Sequence, residues 1–199
     1  MLRVTTPVRK RRRADAERSI ASIVSAAVDA FSRRPDVSMT EIAAAAGVGR
    51  VTLYAHFPSR EALVEAAIEA AVAHASAVID GADLDDGSAV RALGRLVRSG
   101  WSSIDRYHGL LAVSGEMSPS RLRSHHSGVL ERIKRLVARG QAAGEFRTDL
   151  PREWLVTVCY SLFHAAANEV RDGRLDPAAA TEVLEATLTN ALMPGPPAR

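Results

Sequence analysis

The sequence is poor in cysteine and in aromatic residues, and each shortage excludes a class of protein. A single cysteine, Cys159, cannot form an internal disulfide, which excludes a disulfide-stabilised secreted domain and fits a reducing compartment. Aromatic residues are 5% and apolar residues 47% of 199 positions. No apolar run approaches the roughly 20 uninterrupted residues that cross a bilayer, and the charged first residues lack the apolar core of a secretory signal. We therefore expect a soluble, cytoplasmic protein without a membrane partner.

The motifs of enzymes and metalloproteins are also missing. Cys159 and His164 are separated by five positions, which places them about 140° apart around a helix, a poor geometry for a thiolate and its base. His125 and His126 diverge on a helix, and no cluster has metal-ligand spacing such as His-Glu-x-x-His. Glycine-rich phosphate loops and Gly-x-Ser-x-Gly elbows are absent. We expect no catalytic residue, no metal and no cofactor.

Apolar residues recur at helical spacing along the chain, and no segment alternates like a strand. Glycine, proline and Ser/Thr/Asp caps divide the pattern into about nine helices, so we predict an all-α fold. The fourth helix, which begins after Ser59, has an inner face made largely of alanine and would connect two domains. The last two helices, opened by Pro151 and Pro177, form a predicted antiparallel hairpin. That hairpin either pairs with a second copy in a four-helix interface or closes the domain's own core.

Residues 38–63 have the pattern of a DNA-binding helix-turn-helix followed by a further helix. Ser38 with Glu41 is a capping box, which marks the start of the second helix. Gly47 supplies the tight turn that lets the next helix leave at a steep angle. Leu53 and Phe57 point inward. The side chains left outside can hydrogen-bond phosphates and base edges in a major groove.

Positive charge is concentrated in the same part of the chain. Residues 1–63 contain eleven Lys/Arg and six Asp/Glu, whereas residues 64–199 contain fifteen and seventeen, for a total of +3. A polyanionic partner of the N-terminal part explains this asymmetry. Residues 1–15 form a predicted disordered basic arm, which either contacts DNA phosphates or the minor groove, or is only a solvated tail. Besides Arg3, its basic residues are the predicted DNA contacts Arg9, Lys10, Arg11, Arg12 and Arg13.

Residues 16–76, and most densely the run Thr52-Leu53-Tyr54-Ala55-His56-Phe57-Pro58-Ser59-Arg60-Glu61-Ala62-Leu63, closely resemble the DNA-binding domain of the TetR family of bacterial transcriptional regulators. The resemblance implies an N-terminal three-helix domain, a helical ligand-binding and dimerisation domain over residues 77–193, and a tail over 194–199. It also implies a regulator that binds a palindromic operator as a homodimer, represses transcription, and is released by a small molecule. The alternative is a DNA-packaging protein without an effector.

Carried over by position, the resemblance assigns contacts to double-stranded DNA. Arg50, Thr52 and Tyr54 are expected at bases or phosphates, Tyr54 and His56 at the backbone, and Arg60 at a flanking phosphate. The chain departs from the family's pattern at Gly49, Val51 and Ala55, so the base preference does not transfer. The full predicted set is Ser38, Thr40, Gly49, Arg50, Val51, Thr52, Tyr54, His56 and Arg60.

The resemblance further implies an effector pocket among the fourth to eighth helices, whose ligand the sequence does not identify. Trp101 and Phe163 also fit apolar stripes and are better explained as core. His164 and Asn168 are spaced i and i+4, so they share a face and would offer hydrogen bonds within an apolar cavity, or be satisfied by backbone. The candidates for this pocket are Trp101, Tyr107, Met117, Phe163, His164 and Asn168.

Overall fold

The computed structural model describes residues 7–114 and 117–195, and within them the fold is entirely helical. The all-α prediction is confirmed. One predicted helix, from Pro119 to Gly140, is divided at His126, so the described residues form ten helices. The helices are α1 Pro7–Arg33, α2 Met39–Ala45, α3 Arg50–His56, α4 Arg60–Asp80, α5 Ala89–Arg106, α6 His108–Ser114, α7 Pro119–His125, α8 Ser127–Ala142, α9 Arg152–Arg171 and α10 Pro177–Leu192.

The N-terminal helix is longer than the sequence pattern suggested. It begins at Pro7, so residues 7–15 continue α1 instead of forming the expected disordered arm, while residues 1–6 lie outside the described part of the chain. The difference has a local cause. Proline is favoured at the first position of a helix, no residue from 8 to 33 breaks a helix, and Arg13 pairs with Glu17 one turn later at 3.1 Å.

The buried apolar side chains form two clusters that divide along α4. The N-terminal cluster joins α1, α2, α3 and the first half of α4, as far as Ala71. The C-terminal cluster begins at Ile79 and joins the end of α4 to α5, α8, α9 and α10. The expected domain limit between residues 76 and 77 falls in this interval and stays a prediction.

Helix α6 packs with the first of these clusters, although it belongs to the segment expected to form the C-terminal domain. Leu110 and Val113 are buried among the side chains of α1 and α4. Gly109 permits this contact, because a Cβ atom there would clash with the carbonyl groups of Phe31 and Ser32 at the end of α1. The C-terminal part of the chain therefore has a direct contact with the core of the N-terminal part.

By length and composition alone, α4 is apolar enough to cross a membrane, and it is the one such helix among the described residues. Its apolar residues have another use here. Leu63, Val64, Ala67 and Ile68 are buried in the N-terminal cluster, and Ile79 is buried in the C-terminal cluster. The composition of α4 is accounted for by a helix that spans two protein cores.

Candidate DNA interface and ligand cavity

Helices α2 and α3 are held by the local signals that the sequence predicted. The Ser38 hydroxyl accepts from the Glu41 amide, and the Glu41 carboxylate accepts from the Ser38 amide at 2.9 Å, which completes the capping box. The Ser38 hydroxyl also donates to the Glu41 carboxylate at 2.6 Å, and this bond, the bond from the Ser38 amide and the pair with Arg34 lower the pKa of Glu41 to about 2. Gly47 has φ +69°, a conformation that favours glycine, and directs the chain into α3.

Helix α3 presents one buried and several exposed side chains. Leu53 is fully buried against the N-terminal cluster, which fixes the rotation of the helix about its axis. Val51 is 86% exposed and Tyr54 43% exposed, and Arg50 and Thr52 lie on the same open surface. Of the other predicted contacts, Ser38, Thr40 and Gly49 are exposed and His56 is half-buried. The structure thus brings these eight residues to the outside of α2 and α3, and an α-helix is an element that a major groove admits.

Arg60 is placed differently from the prediction of a flanking phosphate contact. Its guanidinium donates to the Val37 carbonyl at 2.6 Å and to the Pro35 carbonyl, and it lies 4.9 Å from the centre of the Phe31 ring. Arg60 therefore ties the start of α4 to the loop between α1 and α2. Two of its donors are used within the protein, because both carbonyls lie in this loop, outside any helix.

The basic residues before Asp15 extend α1 away from the N-terminal cluster. Arg12 and Arg13 are exposed. The side chains of Arg9, Lys10 and Arg11 lie outside the described part of the structure, although the helix backbone continues through them.

A cavity of about 130 Å³ lies between α4, α5, α8 and α9. Most of its wall is apolar. Leu96 and Gly100 come from α5, Ile133 from α8 and Phe163 from α9. Ile68, Ala71 and Leu110 line the cavity and also belong to the N-terminal cluster. The cavity and the core beneath α3 therefore share a wall.

One side of the cavity carries three polar aromatic residues, which we call the histidine–tyrosine cluster: His126, Tyr160 and His164. The His126 ring lies edge-on to both partners at 5.3 Å, and the Tyr160 and His164 rings are 4.4 Å apart. Burial lowers the pKa of His126, and burial together with His126 lowers the pKa of His164 to about 4. Both imidazoles are therefore neutral at physiological pH.

Three of the six predicted pocket residues line this cavity: Tyr107, Phe163 and His164. Trp101 is instead buried in the C-terminal core, and Met117 packs on the N-terminal cluster. Asn168 is exposed, because it lies one turn beyond His164 on α9, where the cavity has ended. Sequence reasoning missed His126 and Tyr160. The i, i+4 spacing of Tyr160 and His164 was an available signal, whereas His126 lies at an unexpected break between helices.

The arrangement offers no nucleophile. Cys159 is fully buried, and burial raises the pKa of its thiol to about 12. Within residues 7–114 and 117–195, no group of three or more His, Cys, Asp or Glu side chains has the geometry of a metal site.

Comparison with known proteins gives the same assignment for the N-terminal part. The family model described as bacterial regulatory proteins, TetR family, matches residues 23–67. The chain is 26% identical to the HTH-type transcriptional regulator NfxB of Pseudomonas aeruginosa, over 85% of this chain and 89% of that protein. It is 29% identical to the HTH-type transcriptional repressor LfrR of Mycolicibacterium smegmatis, over 79% of this chain and 82% of that one.

Solved structures extend the similarity to the whole fold. The TetR-like regulator LfrR from Mycobacterium smegmatis, in complex with proflavine, has a TM-score of 0.68 and 25% identity, covering 89% of this chain and 97% of that one. The transcriptional regulator FadR from Bacillus subtilis, in complex with stearoyl-CoA, has a TM-score of 0.71 at 17% identity, covering 85% and 97%. FadR shows only that the fold is shared. Residues 23–67 therefore match the TetR family of bacterial regulatory proteins, and most of the chain is similar to transcriptional regulators of that family, which are DNA-binding proteins and not enzymes.

Proposed function

We propose that this protein is a cytoplasmic, homodimeric repressor that binds a palindromic operator and is released by a small molecule. The observation that carries the DNA-binding part is the division of α3 into a fully buried Leu53 and an exposed surface that includes Arg50, Val51, Thr52 and Tyr54. A helix held this firmly on one side and open on the other suits insertion into a major groove. Arg50 and Thr52 would contact bases, and Tyr54 and His56 phosphates.

The cavity supports the effector part of the proposal. A ligand can release DNA only if it binds one conformation of the protein more tightly than another. Ile68, Ala71 and Leu110 contact both the cavity and the N-terminal core, so a ligand that moves them also moves the support of α3. The relative LfrR is a repressor and has been crystallised with a small molecule.

The exposed side of the C-terminal hairpin supports the dimer. Trp154 on α9 is 55% exposed and Val183 on α10 is 45% exposed. The remainder of this surface carries small side chains such as Ser161, Ala165 and Ala186, which let a second pair of helices approach closely. In a two-fold dimer, two copies of α3 would bind half-sites about one helical turn apart.

Dimerisation is tested by sedimentation. Trp154→Asp combined with Val183→Asp should convert the dimer into a folded monomer, because it places two charges on exposed apolar positions of the surface where the second copy would pack. Ile20→Asp, at a residue 39% exposed on α1, is the matched control and should leave the dimer intact. An unchanged sedimentation coefficient for the double variant would place the interface elsewhere.

The DNA-binding proposal is tested by selecting bound genomic fragments and then titrating the selected operator and random DNA at several salt concentrations. A regulator should prefer its operator by about 10³-fold or more. A DNA-packaging protein would bind both with similar affinity and a similar salt slope, and that result would replace the repressor with the alternative.

Two variants separate base from backbone contacts. Arg50→Ala should relax preference at one operator position, at a cost of about 1 to 3 kcal/mol if the guanidinium forms a bidentate base contact. Tyr54→Ala with His56→Ala should weaken binding to operator and random DNA alike while leaving the fold intact. A uniform loss for Arg50→Ala and a position-specific loss for the double variant would instead assign Arg50 to the DNA backbone and Tyr54 or His56 to a base.

A further inference from the structure

The cavity wall is mostly apolar, and the protonation of one of its few polar residues, His126, can be assigned from geometry. The Nδ1 atom of His126 lies 2.8 Å from the carbonyl oxygen of Leu122. A carbonyl oxygen only accepts hydrogen bonds, so Nδ1 carries the proton and donates it. In the neutral ring, Nε2 is then a hydrogen-bond acceptor.

This acceptor is available to a ligand. No side chain in the described ranges bonds to Nε2 of His126, and the residue lines the cavity. Burial keeps the ring neutral by lowering its pKa. His126 is partly buried, and an acceptor without a protein partner in an apolar wall favours an occupant that brings an N–H or O–H donor.

The charges around the cavity argue against ionised ligands. Among the described residues, no Asp or Glu lines the cavity, so a cation would have no counter-ion there. The Arg123 guanidinium also lies 5.2 Å from the centre of the Tyr160 ring, which adds positive charge beside the cluster. A carboxylate has no donor in neutral His126, and protonating that ring to create one is opposed by burial.

The volume limits the size of the occupant. A cavity of about 130 Å³ is similar to engineered apolar cavities of about 150 Å³ that bind benzene. Its wall includes the Phe163 ring and the apolar side chains of Leu96, Val129 and Ile133, which suit an aromatic ring. A single ring with one or two small substituents is the size of occupant that this volume admits.

We propose that the cavity selects small, uncharged phenols, whose ring contacts the apolar wall and whose hydroxyl donates a hydrogen bond to Nε2 of His126. This inference rests on the proposed function, in which the cavity is the effector site. It adds the chemical class of the effector and names His126 as the residue that determines specificity.

The test uses the full-length protein at pH 7.5 and four probes with the same ring: p-cresol, toluene, 4-methylbenzoate and 4-methylbenzylammonium. Affinities are measured by calorimetry or by ligand-detected NMR. We expect p-cresol to bind about ten-fold more tightly than toluene, as for one net hydrogen bond to a buried acceptor, and the two ions to bind more weakly than toluene. Tighter binding of either ion would overturn the proposal.

His126→Phe identifies the acceptor. It keeps an aromatic ring in the wall but removes Nε2, so p-cresol and toluene should then bind with equal affinity. His74→Phe is the control, because His74 is exposed and absent from the cavity lining, and it should keep the ten-fold preference. A preference for p-cresol that survives in His126→Phe would assign the hydrogen bond to another group.

The pH dependence is a second readout. Five titratable or charged groups lie around His126: His125 and Arg123 on α7, Tyr160 and His164 on α9, and Tyr107 before α6. Helices α4 and α5 add only apolar residues and Ser103 to the lining of the cavity. As pH falls below the ordinary histidine range, His126 gains a proton and loses its acceptor. The preference for p-cresol over toluene should then disappear, and 4-methylbenzoate should bind more tightly.

These measurements distinguish the inference from the proposed function. If toluene and p-cresol bind with equal affinity, the cavity accepts ligands and only the chemical class is wrong. If none of the four probes binds while operator DNA does, the cavity is not an effector site in this protein and both effector proposals fail. Operator selectivity and dimerisation are measured without ligand, so the tests of those two proposals do not depend on the result with the four probes.

Discussion

The two hydrophobic clusters differ in how completely they are packed. The N-terminal cluster brings α1, α2, α3 and half of α4 together around fully buried residues such as Ile23, Phe31, Ile42 and Leu53. The C-terminal cluster forms much of the wall of a cavity of about 130 Å³, and Ile68, Ala71 and Leu110 of the N-terminal cluster complete it. Dense packing fixes the orientation of α3, whereas the second cluster keeps space for another molecule. Four measurements test this contrast.

Leu53→Ala should have the largest effect. Removing three carbons from a fully buried site costs about 3 kcal/mol of unfolding free energy, and it also releases the rotation of α3, so operator binding should be lost. Denaturant unfolding and operator titration measure the two effects. Val51→Ala is the control on the same helix, since an 86% exposed side chain should change stability by less than about 0.5 kcal/mol.

Replacing one alanine by leucine beneath α3 and another in the cavity wall tests the difference in packing directly. Ala43 is 1% exposed under α3, and Ala43→Leu should cost about 2 kcal/mol through overpacking. Ala75 lines the cavity, and Ala75→Leu should cost less than half as much because space is already present. Ala75→Leu should also weaken ligand binding. Equal losses of stability in the two variants would show that the cavity collapses in solution.

The pH dependence of stability should be due mainly to the C-terminal region. His164 has its pKa lowered to about 4 in the folded protein, whereas an unfolded histidine titrates near 6.5. The unfolded state therefore binds more protons as pH falls below 6.5, and the folded state loses about 2 kcal/mol of stability between pH 7.5 and pH 5. His164→Phe should remove most of this loss, as measured by urea unfolding at both pH values. A loss of the same size in the variant would assign it to other groups.

Ser38→Ala should have the smallest effect, of about 1 kcal/mol, because it removes the N-cap of α2. The effect should be confined to the N-terminal region and should appear as faster amide exchange in α2. Thr40→Ala, an exposed change two residues later, is the control. An equal loss in the control would mean that helix propensity, and not the cap, is being measured.

The N-terminal region was predictable because its signals are local. The capping box of Ser38 and Glu41, the turn at Gly47 and the inward position of Leu53 each depend on residues within a few positions. Arg60 was the exception. Its partners, Pro35 and Val37, are more than twenty residues earlier in the chain, and a surface arginine gives no sign of whether its donors face DNA or the protein's own carbonyl groups.

The cavity was less predictable because it depends on contacts between distant helices. His126 and His164 meet only after α8 and α9 pack together. Periodicity gives the buried side of each helix but does not distinguish the wall of a cavity from a packed core. Trp101 and Phe163 have the same periodic spacing, yet of the two only Phe163 lines the cavity. The break at His126 is accompanied only by Ser127 and Gly128 at the start of α8, a local signal that does not distinguish a break from a continuous helix.

The wall shared by Ile68, Ala71 and Leu110 has a consequence for how such a protein changes over time. A substitution there that admits a bulkier ligand also alters the support of α3, so chemical sensitivity and operator affinity cannot drift independently. Genetic screens for unresponsive mutants and for constitutively derepressed mutants should therefore recover the same few codons, with opposite phenotypes set by the size of the new side chain.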